Sequence, residues 1–256
     1  MTFTPLYLIE GVALNSTGDM VAGSLADGMQ RQLPGQHREK IYPWDSVGVE
    51  IDGVQDTWSL PKVIIPIDGI TRDYGYGGGG GAPVFNVTGF NIISKANPDD
   101  ALTIQFFRVQ KAIAVTLDAD SGVSELNADR IYVANTSSFE EDDYVWVMDG
   151  NTANGEIGSI ASIVTNDYLD LDADLTLDYT TAQSAKVYII RRGGEDAYRT
   201  IWIKFSANNA KIMWRYNLHA PRAFAAGDGL IARVYDIEDV AGPGQVYITA
   251  IYDDEA

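Results

Sequence analysis

The chain of 256 residues contains no cysteine and only two histidines. Without cysteine there can be no disulfide and no thiolate metal site, which excludes a small disulfide-stapled secreted module. His37 and His219 are far apart in sequence and form no H-x-H or H-x-x-x-H pair of the kind that zinc sites use. A Ser-His-Asp triad would need one of them, yet the G-x-S-x-G motif is absent. Both histidines are interpreted as surface or interface residues, and we predict no catalytic residue, no metal ligand and no cofactor.

Basic residues are scarce, with 18 Lys and Arg against 36 Asp and Glu and a formal net charge of −18. Binding to phosphates needs a basic face, so direct nucleic-acid binding is not expected. The closest basic clusters, Arg191-Arg192 and Arg38-Glu39-Lys40, are too short to provide one. The acidity favours solubility, and a salty habitat is the alternative explanation.

Long hydrophobic runs are also missing. No window approaches 18 consecutive apolar residues, so no membrane span is predicted. The first residues, Met1-Thr2-Phe3-Thr4-Pro5, lack the basic and apolar regions of a signal peptide. We therefore expect a protein made in a cytoplasm that does not leave by the usual export route.

No segment carries a convincing helical period with caps, so an all-β fold is predicted. Strand patterns in the first and last parts of the chain cover residues 58–67, 84–94, 101–109, 198–206, 211–218, 230–235 and 245–252. Prolines bound the segment 58–67, which places it at a sheet edge or at a strand end. Turn residues at 96–100 and 207–210 predict a hairpin around each of these two segments.

The segment from Ala112 to Ile190 differs in charge from both flanks. It holds 15 of the 36 acidic residues and two of the 18 basic ones, a formal charge of −13 out of −18. Short strands are predicted at 130–134, 144–148, 155–164, 168–177 and 185–190. In the fourth of these, apolar residues alternate with acidic ones, which predicts one buried and one solvated face. Five such strands fit a small antiparallel barrel or sandwich.

These patterns predict three parts. Residues 1–46 form an extended N-terminal arm, which we expect to contact a neighbouring copy because long structureless segments usually bind something. Residues 47–111 and 191–256 form the two halves of one β-domain. Residues 112–190 form an inserted acidic β-domain that interrupts it.

Three patterns raise the question of a ligand site: a glycine run, the acidic residues of the insertion, and the tryptophans. Gly75, Gly77 and Gly80 match G-x-G-x-x-G, but a strand follows where the dinucleotide mechanism needs a helix. An EF-hand loop starting at Asp170 would have Leu175 in place of the required glycine. A calcium site of another kind would draw on acidic residues of the insertion: Asp142, Asp143, Asp149, Asp170, Asp172 and Asp174. A sugar groove would draw on the tryptophans: Trp44, Trp58, Trp146, Trp202 and Trp214.

The organisation resembles virion structural proteins of the jelly-roll type. The segment from Asn135 to Val147 looks like the F-x-x-G-D-x-V strand start of small phage β-domains, with Asp142 where glycine is usual. The segment from Pro221 to Val234 is similar in style to virion proteins. The resemblance implies a jelly-roll β-sandwich and a capsid protein, located in the virion, whose partners are copies of itself and other virion proteins. A phage decoration or tail-associated protein, or a carbohydrate- or calcium-binding surface β-module, is the alternative.

Overall fold

The structure is a computed structural model that describes residues 7–9, 12–14, 40–43, 48–54, 56–70, 83–95, 101–150, 154–192, 199–204, 212–236 and 244–253. In chain order its strands are β1 (Tyr7–Ile9), β2 (Val12–Leu14), β3 (Lys40–Tyr42), β4 (Val49–Asp52), β5 (Lys62–Ile65), β6 (Phe85–Lys95), β7 (Ala101–Val109), β8 (Ala114–Thr116), β9 (Ser121–Gly122), β10 (Arg130–Tyr132), β11 (Tyr144–Met148), β12 (Gly155–Val164), β13 (Tyr168–Leu171), β14 (Asp178–Tyr179), β15 (Lys186–Arg191), β16 (Arg199–Lys204), β17 (Ile212–Phe224), β18 (Gly229–Asp236) and β19 (Gln245–Asp253).

The described residues confirm the all-β prediction. Their helical content is two single turns of 3-10 helix, η1 (Lys111–Ile113) and η2 (Thr181–Gln183). The chain divides into two compact units, Met1–Glu39 and Lys40–Asp254. In the first unit, β1 and β2 form an antiparallel pair. All strands from β3 onward belong to the second unit.

The second unit contains a β-sandwich of two antiparallel sheets. One sheet has the order β16-β7-β18-β5. The other has the order β17-β6-β19, with β3 and β4 both paired along the far side of β19. The segment from Trp58 extends β5 along the edge of its sheet, because Ser59 N donates to Val234 O at 2.7 Å and Val234 N donates to Ser59 Oγ at 3.0 Å. The predicted edge position of this segment is therefore confirmed.

The strand pairs of the sandwich are nested in the order of a jelly roll. β4 pairs with β19, β5 with β18, β6 with β17 and β7 with β16. The chain thus forms one long hairpin whose two arms wind together and supply four strands to each sheet, with β3 as an additional strand beside β19. The acidic segment lies between β7 and β16, at the tip of this long hairpin.

The two short hairpins predicted from turn residues are wrong. β6 and β7 lie in different sheets, and so do β16 and β17. Each connection crosses from one sheet to the other, because in a jelly roll the pairing partner comes from the opposite arm of the long hairpin. The connecting residues themselves, 96–100 and 205–211, lie outside the described part of the chain.

The sandwich core lies between its two sheets. Alternate residues of β7 and β18 point into it, so that Leu102, Ile104 and Phe106 face Phe90 and Ile92 of β6. The rings of Phe90 and Phe106 are stacked across the gap with centroids 3.8 Å apart. This layer joins strands that are far apart in sequence.

The insertion forms one six-stranded antiparallel sheet in the order β10-β13-β12-β11-β15-β8 and a small hairpin of β9 and β14. The sheet curls around a single core to which both of its end strands contribute, since Ile131 on β10 belongs to the cluster and Val115 on β8 packs against it. The predicted strand 168–177 ends at Leu171. Beyond it, Leu175 still packs into the core from a loop.

The acidic residues of the insertion mostly face solvent, as the alternating pattern predicts. Ten of the fifteen are exposed, two are half-buried, and three are buried: Asp143, Asp149 and Glu156. Asp143 is paired with Arg192 at 2.6 Å and accepts from Glu140 N at 2.9 Å. These partners give the buried carboxylate a structural role.

The division of the chain into an arm, an interrupted sandwich and an inserted domain stays a prediction. Strand β3 lies within the range 1–46 that was predicted as the arm, and it pairs with β19 of the sandwich. A truncation meant to spare the sandwich must therefore end at Glu39. Residues 40–254 form one compact unit in which sandwich and insertion are in contact.

Candidate functional site at the junction of sandwich and insertion

An apolar layer joins the outer face of the sandwich to the outer face of the inserted sheet. Phe107, Val109 and Ile231 contribute from the sandwich, and all three are buried. Trp146, Tyr188 and Ile190 cover them from the insertion. We call this layer the junction.

The strands of the junction are buried on both faces, and their sequences show it. In β11, Val145 and Val147 point into the insertion core while Trp146 points into the junction. Strands covered on both sides have continuous apolar runs, such as Tyr-Val-Trp-Val-Met in β11. Gly155 is required beside Trp146, since a Cβ there would clash with the indole Nε1 and with the carbonyl oxygen of Val147.

A pocket of about 250 Å³ opens within the junction. Its walls are almost entirely apolar, with Val63, Ile67 and Ile231 on the sandwich side and Met148 and Tyr188 on the insertion side. Tyr188 and Trp146 are the lining residues whose side chains carry a polar group. Burial, followed by the negative charge of Asp68, raises the pKa of Tyr188.

The beginning of the insertion is held to the sandwich by a buried carboxylate. Asp228, in the turn before β18, accepts from Arg108 Nε at 2.7 Å, from Lys111 N at 3.0 Å and from Ala225 N at 2.9 Å. Lys111 also pairs with Asp68 at 2.7 Å. These contacts fix η1, through which the chain enters the insertion, against the sandwich.

At the border of the junction, Arg233 of β18 is held between aromatic rings. Its Cζ lies 4.4 Å from the ring centroid of Trp58 and 5.4 Å from that of Phe107. Its Nε donates to Gln105 Oε1 at 2.9 Å. Burial lowers the pKa of Arg233 to about 10, with a smaller lowering from the charge of Arg191 and an opposing contribution from Tyr144.

A second guanidinium, that of Arg191, reaches the same border from the insertion. Its Cζ lies 3.9 Å from the ring centroid of Tyr144. The pairing of β11 with β15 is irregular here, because Arg191 is opposite Tyr144 while Ile189 is opposite Val145. Ile190 is thus the extra residue of a bulge, which places both Ile190 and Arg191 on the junction face.

The two arginines lack acidic partners in the part of the chain that the structure describes. Arg108, Lys111, Arg130 and Arg192 each pair with an aspartate there, whereas neither Arg191 nor Arg233 does. The Nε of Arg191 is buried with no hydrogen-bond partner. Because buried charges are usually paired, this arrangement can accept an anion.

No protein-family model matches this chain, and no curated protein matches it in sequence. Among the described residues, no helix has the length and apolar character that a membrane crossing requires.

Two of the tryptophans suggested for a sugar groove have described side chains, and these two lie in different surroundings. Trp58 is half-buried beside Arg233, and Trp146 is buried in the junction. Trp202 and Trp214 lie on β16 and β17, strands of different sheets, and Trp44 lies outside the described residues. The sequence did not predict Arg191 and Arg233 as a site, although Arg233 stands out as a lone charge inside an apolar strand.

The other candidate residues that the structure describes lie on several different elements. Among the described residues, no three His, Asp or Glu side chains are placed to hold a metal ion. Asp170 is half-buried, pairs with Arg130 at 2.9 Å and accepts from Ser162 Oγ at 2.9 Å, while Asp172 and Asp174 are exposed in the loop after β13. His219 is exposed on β17. His37 and the run from Gly75 to Gly81 lie outside the described residues.

Proposed function

We propose that this chain is a virion structural protein, most simply a capsid (coat) protein that assembles with copies of itself and with other virion proteins. The observation that carries the proposal is the jelly-roll pairing order, with a folded insertion at the tip of its long hairpin. A coat protein works through extended surfaces and needs no reaction centre. The fold alone does not determine function, so the proposal requires a direct assembly test.

The charge distribution supports an outward-facing insertion. Ten exposed carboxylates of the insertion point to solvent, and like charges on neighbouring subunits repel one another at close range. Assembly contacts then fall to the less charged sandwich and to the residues before β3. The sandwich has open sheet edges among its described strands at β5 and β17, and open edges favour pairing with another chain.

Purified full-length protein would test this proposal by negative-stain electron microscopy and size-exclusion chromatography with light scattering, over a range of salt concentrations. We expect shells, rings or regular arrays. A truncation that removes residues 1–39 is the matched variant, since it leaves β3 and the sandwich intact. It should keep the strand signal in circular dichroism and fail to assemble.

A full-length protein that stays a monodisperse monomer under all these conditions would refute the coat-protein proposal. Normal assembly of the truncated protein would refute only the role of the arm. The second candidate function, a carbohydrate-binding surface β-module, is favoured by one observation. This is the pair of arginines stacked on aromatic rings at the junction border.

A further inference from the structure

We propose that the border of the junction is a binding site for a sugar acid, in which Arg233 and Arg191 together bind the carboxylate. This site does not depend on whether the chain forms a virion. It is built by both parts of the second unit, with Arg233 on the sandwich and Arg191 on the insertion. We call it the arginine site.

The first step of the argument is electrostatic. In a chain of net charge −18, the guanidiniums of Arg233 and Arg191 lie over Phe107 and Tyr144 at the same border and have no acidic partner among the described residues. Both arginines are half-buried, and partly removing a charge from water without a counter-charge costs free energy that an anion bound at this border would offset. By comparison, the guanidiniums of Arg108, Arg130 and Arg192 each pair with an aspartate.

The second step is geometric. Nε of Arg233 is used by Gln105, which fixes the guanidinium plane and leaves its two terminal nitrogens for a ligand. The rings of Trp58 and Tyr144 hold the two guanidiniums by stacking, at 4.4 and 3.9 Å from ring centroid to Cζ. A preorganised guanidinium binds a planar carboxylate through two parallel hydrogen bonds. The bulge at Ile190 is what turns Arg191 onto this face.

The third step concerns the class of anion. The strongly negative charge of the whole chain repels a phosphate dianion more than a monocarboxylate, which favours the carboxylate. Polar groups beside the arginines favour a hydroxylated body over a purely apolar one. Thr103 lies two residues from Gln105 on the same face of β7, and its buried Oγ1 has no hydrogen-bond partner. Trp58 and Tyr144 supply apolar surface for a ring.

Thermal unfolding of the full chain with sodium glucuronate tests this inference, with glucose plus sodium chloride at equal ionic strength as the neutral control. We expect glucuronate, and not glucose, to raise Tm by about 3–6 °C once its concentration is roughly ten times Kd. Isothermal titration calorimetry should then give one site per chain. Sodium acetate serves as the bare carboxylate, and it should bind more weakly than glucuronate.

Variants separate the arginine site from general charge effects. Arg233→Gln and Arg191→Gln should each weaken glucuronate binding by about tenfold or more, and Arg233→Lys should recover part of it. Arg130→Gln is the matched control, because Arg130 also stacks on a ring, that of Tyr168 at 4.2 Å, but already pairs with Asp170. It should leave glucuronate binding unchanged.

Three results would overturn the inference. One is the same stabilisation by glucuronate in wild type and in Arg233→Gln or Arg233→Lys. Another is equal stabilisation by sulfate or chloride, which would indicate an adventitious ion only. The last is loss of self-assembly in Arg233→Gln without any glucuronate binding to wild type, which would assign the arginines to an acidic side chain of a second copy. Since binding is measured on the unassembled chain, failure of the coat-protein proposal leaves this test intact.

Discussion

The carboxylate of Glu156 accepts a hydrogen bond from the hydroxyl of Tyr179 at 3.1 Å in the interior of the insertion. The same carboxylate accepts from the backbone N–H of Thr176 at 2.8 Å and of Leu177 at 2.7 Å. Glu156 belongs to β12. Its partners Thr176 and Leu177 lie in the loop after β13, and Tyr179 lies on β14. One buried side chain therefore holds this loop and β14 against the sheet.

Replacing Glu156 by glutamine should destabilise the protein by about 2–4 kcal/mol. The side-chain NH2 of glutamine is itself a donor and would face the donors of Thr176, Leu177 and Tyr179, which would also lose their charged acceptor. The measurement is urea-induced unfolding followed by circular dichroism. Glu125→Gln is the matched control, since Glu125 is exposed in the same insertion and should change stability by less than about 0.5 kcal/mol. Equal effects of the two substitutions would contradict the role of Glu156.

Stability should fall at alkaline pH because of Tyr179. Burial, followed by the negative charges of Glu156 and Asp149, raises the pKa of Tyr179 well above its usual value. Because the pKa is raised in the folded state, the protonated tyrosine makes its full contribution to the free energy of unfolding below the unfolded-state pKa of about 10. This contribution is lost as the pH rises above that value, by up to about 1.4 kcal/mol per pH unit. Urea unfolding of wild type and Tyr179→Phe between neutral and alkaline pH measures it.

The phenylalanine variant is expected to be less stable than wild type near neutral pH, and the difference should narrow above pH 10. Tyr132→Phe, at a half-buried tyrosine of the same insertion, is the control for general alkaline effects. If the difference in the free energy of unfolding between wild type and Tyr179→Phe stays constant with pH, Tyr179 does not retain its proton in the folded state.

Strands with strong apolar patterns could be located from the sequence. The predicted ranges 101–109, 144–148 and 155–164 coincide with β7, β11 and β12. Strands β8, β9 and β14 were missed because two or three residues are too few to show a period of two. Their positions are set by partners elsewhere in the chain.

Strand pairing was much harder to predict than strand position. The turn residues at 96–100 show where the chain reverses, but they do not specify the partner of β6, which is β17 on one side and β19 on the other. For the arginine site the limiting feature is the bulge at Ile190. A regular strand would turn Arg191 toward the opposite face, so alternation alone could not place it beside Arg233.

Asp142 provides a test of the resemblance to the F-x-x-G-D-x-V pattern, in which glycine is usual at this position. Its φ is +68°, in the left-handed region that favours glycine. Asp142→Gly should therefore be more stable than Asp142→Ala by about 1 kcal/mol, as measured by urea unfolding. At the neighbouring Glu141, whose φ is not positive, the order should reverse, so that Glu141→Ala is more stable than Glu141→Gly. The same order at both positions would contradict a backbone effect.

The division into sandwich and insertion can be tested by excising residues 112–190 and joining the ends with a short Gly-Ser linker. The junction shows what this deletion uncovers, since Phe107, Val109 and Ile231 lose their cover of Trp146, Tyr188 and Ile190. We expect the excised chain to retain strand structure and to aggregate, because a contiguous apolar patch is exposed.

Threonine at the three uncovered positions, Phe107, Val109 and Ile231, should restore solubility to the excised chain, since a half-buried strand then has a polar outer face. In the full chain the same three substitutions should lower Tm strongly, because each removes a buried apolar side chain from the junction. Circular dichroism melting and size-exclusion chromatography measure both effects. If the excised chain with the three threonines shows no cooperative unfolding transition, the sandwich does not fold without the insertion and the division fails.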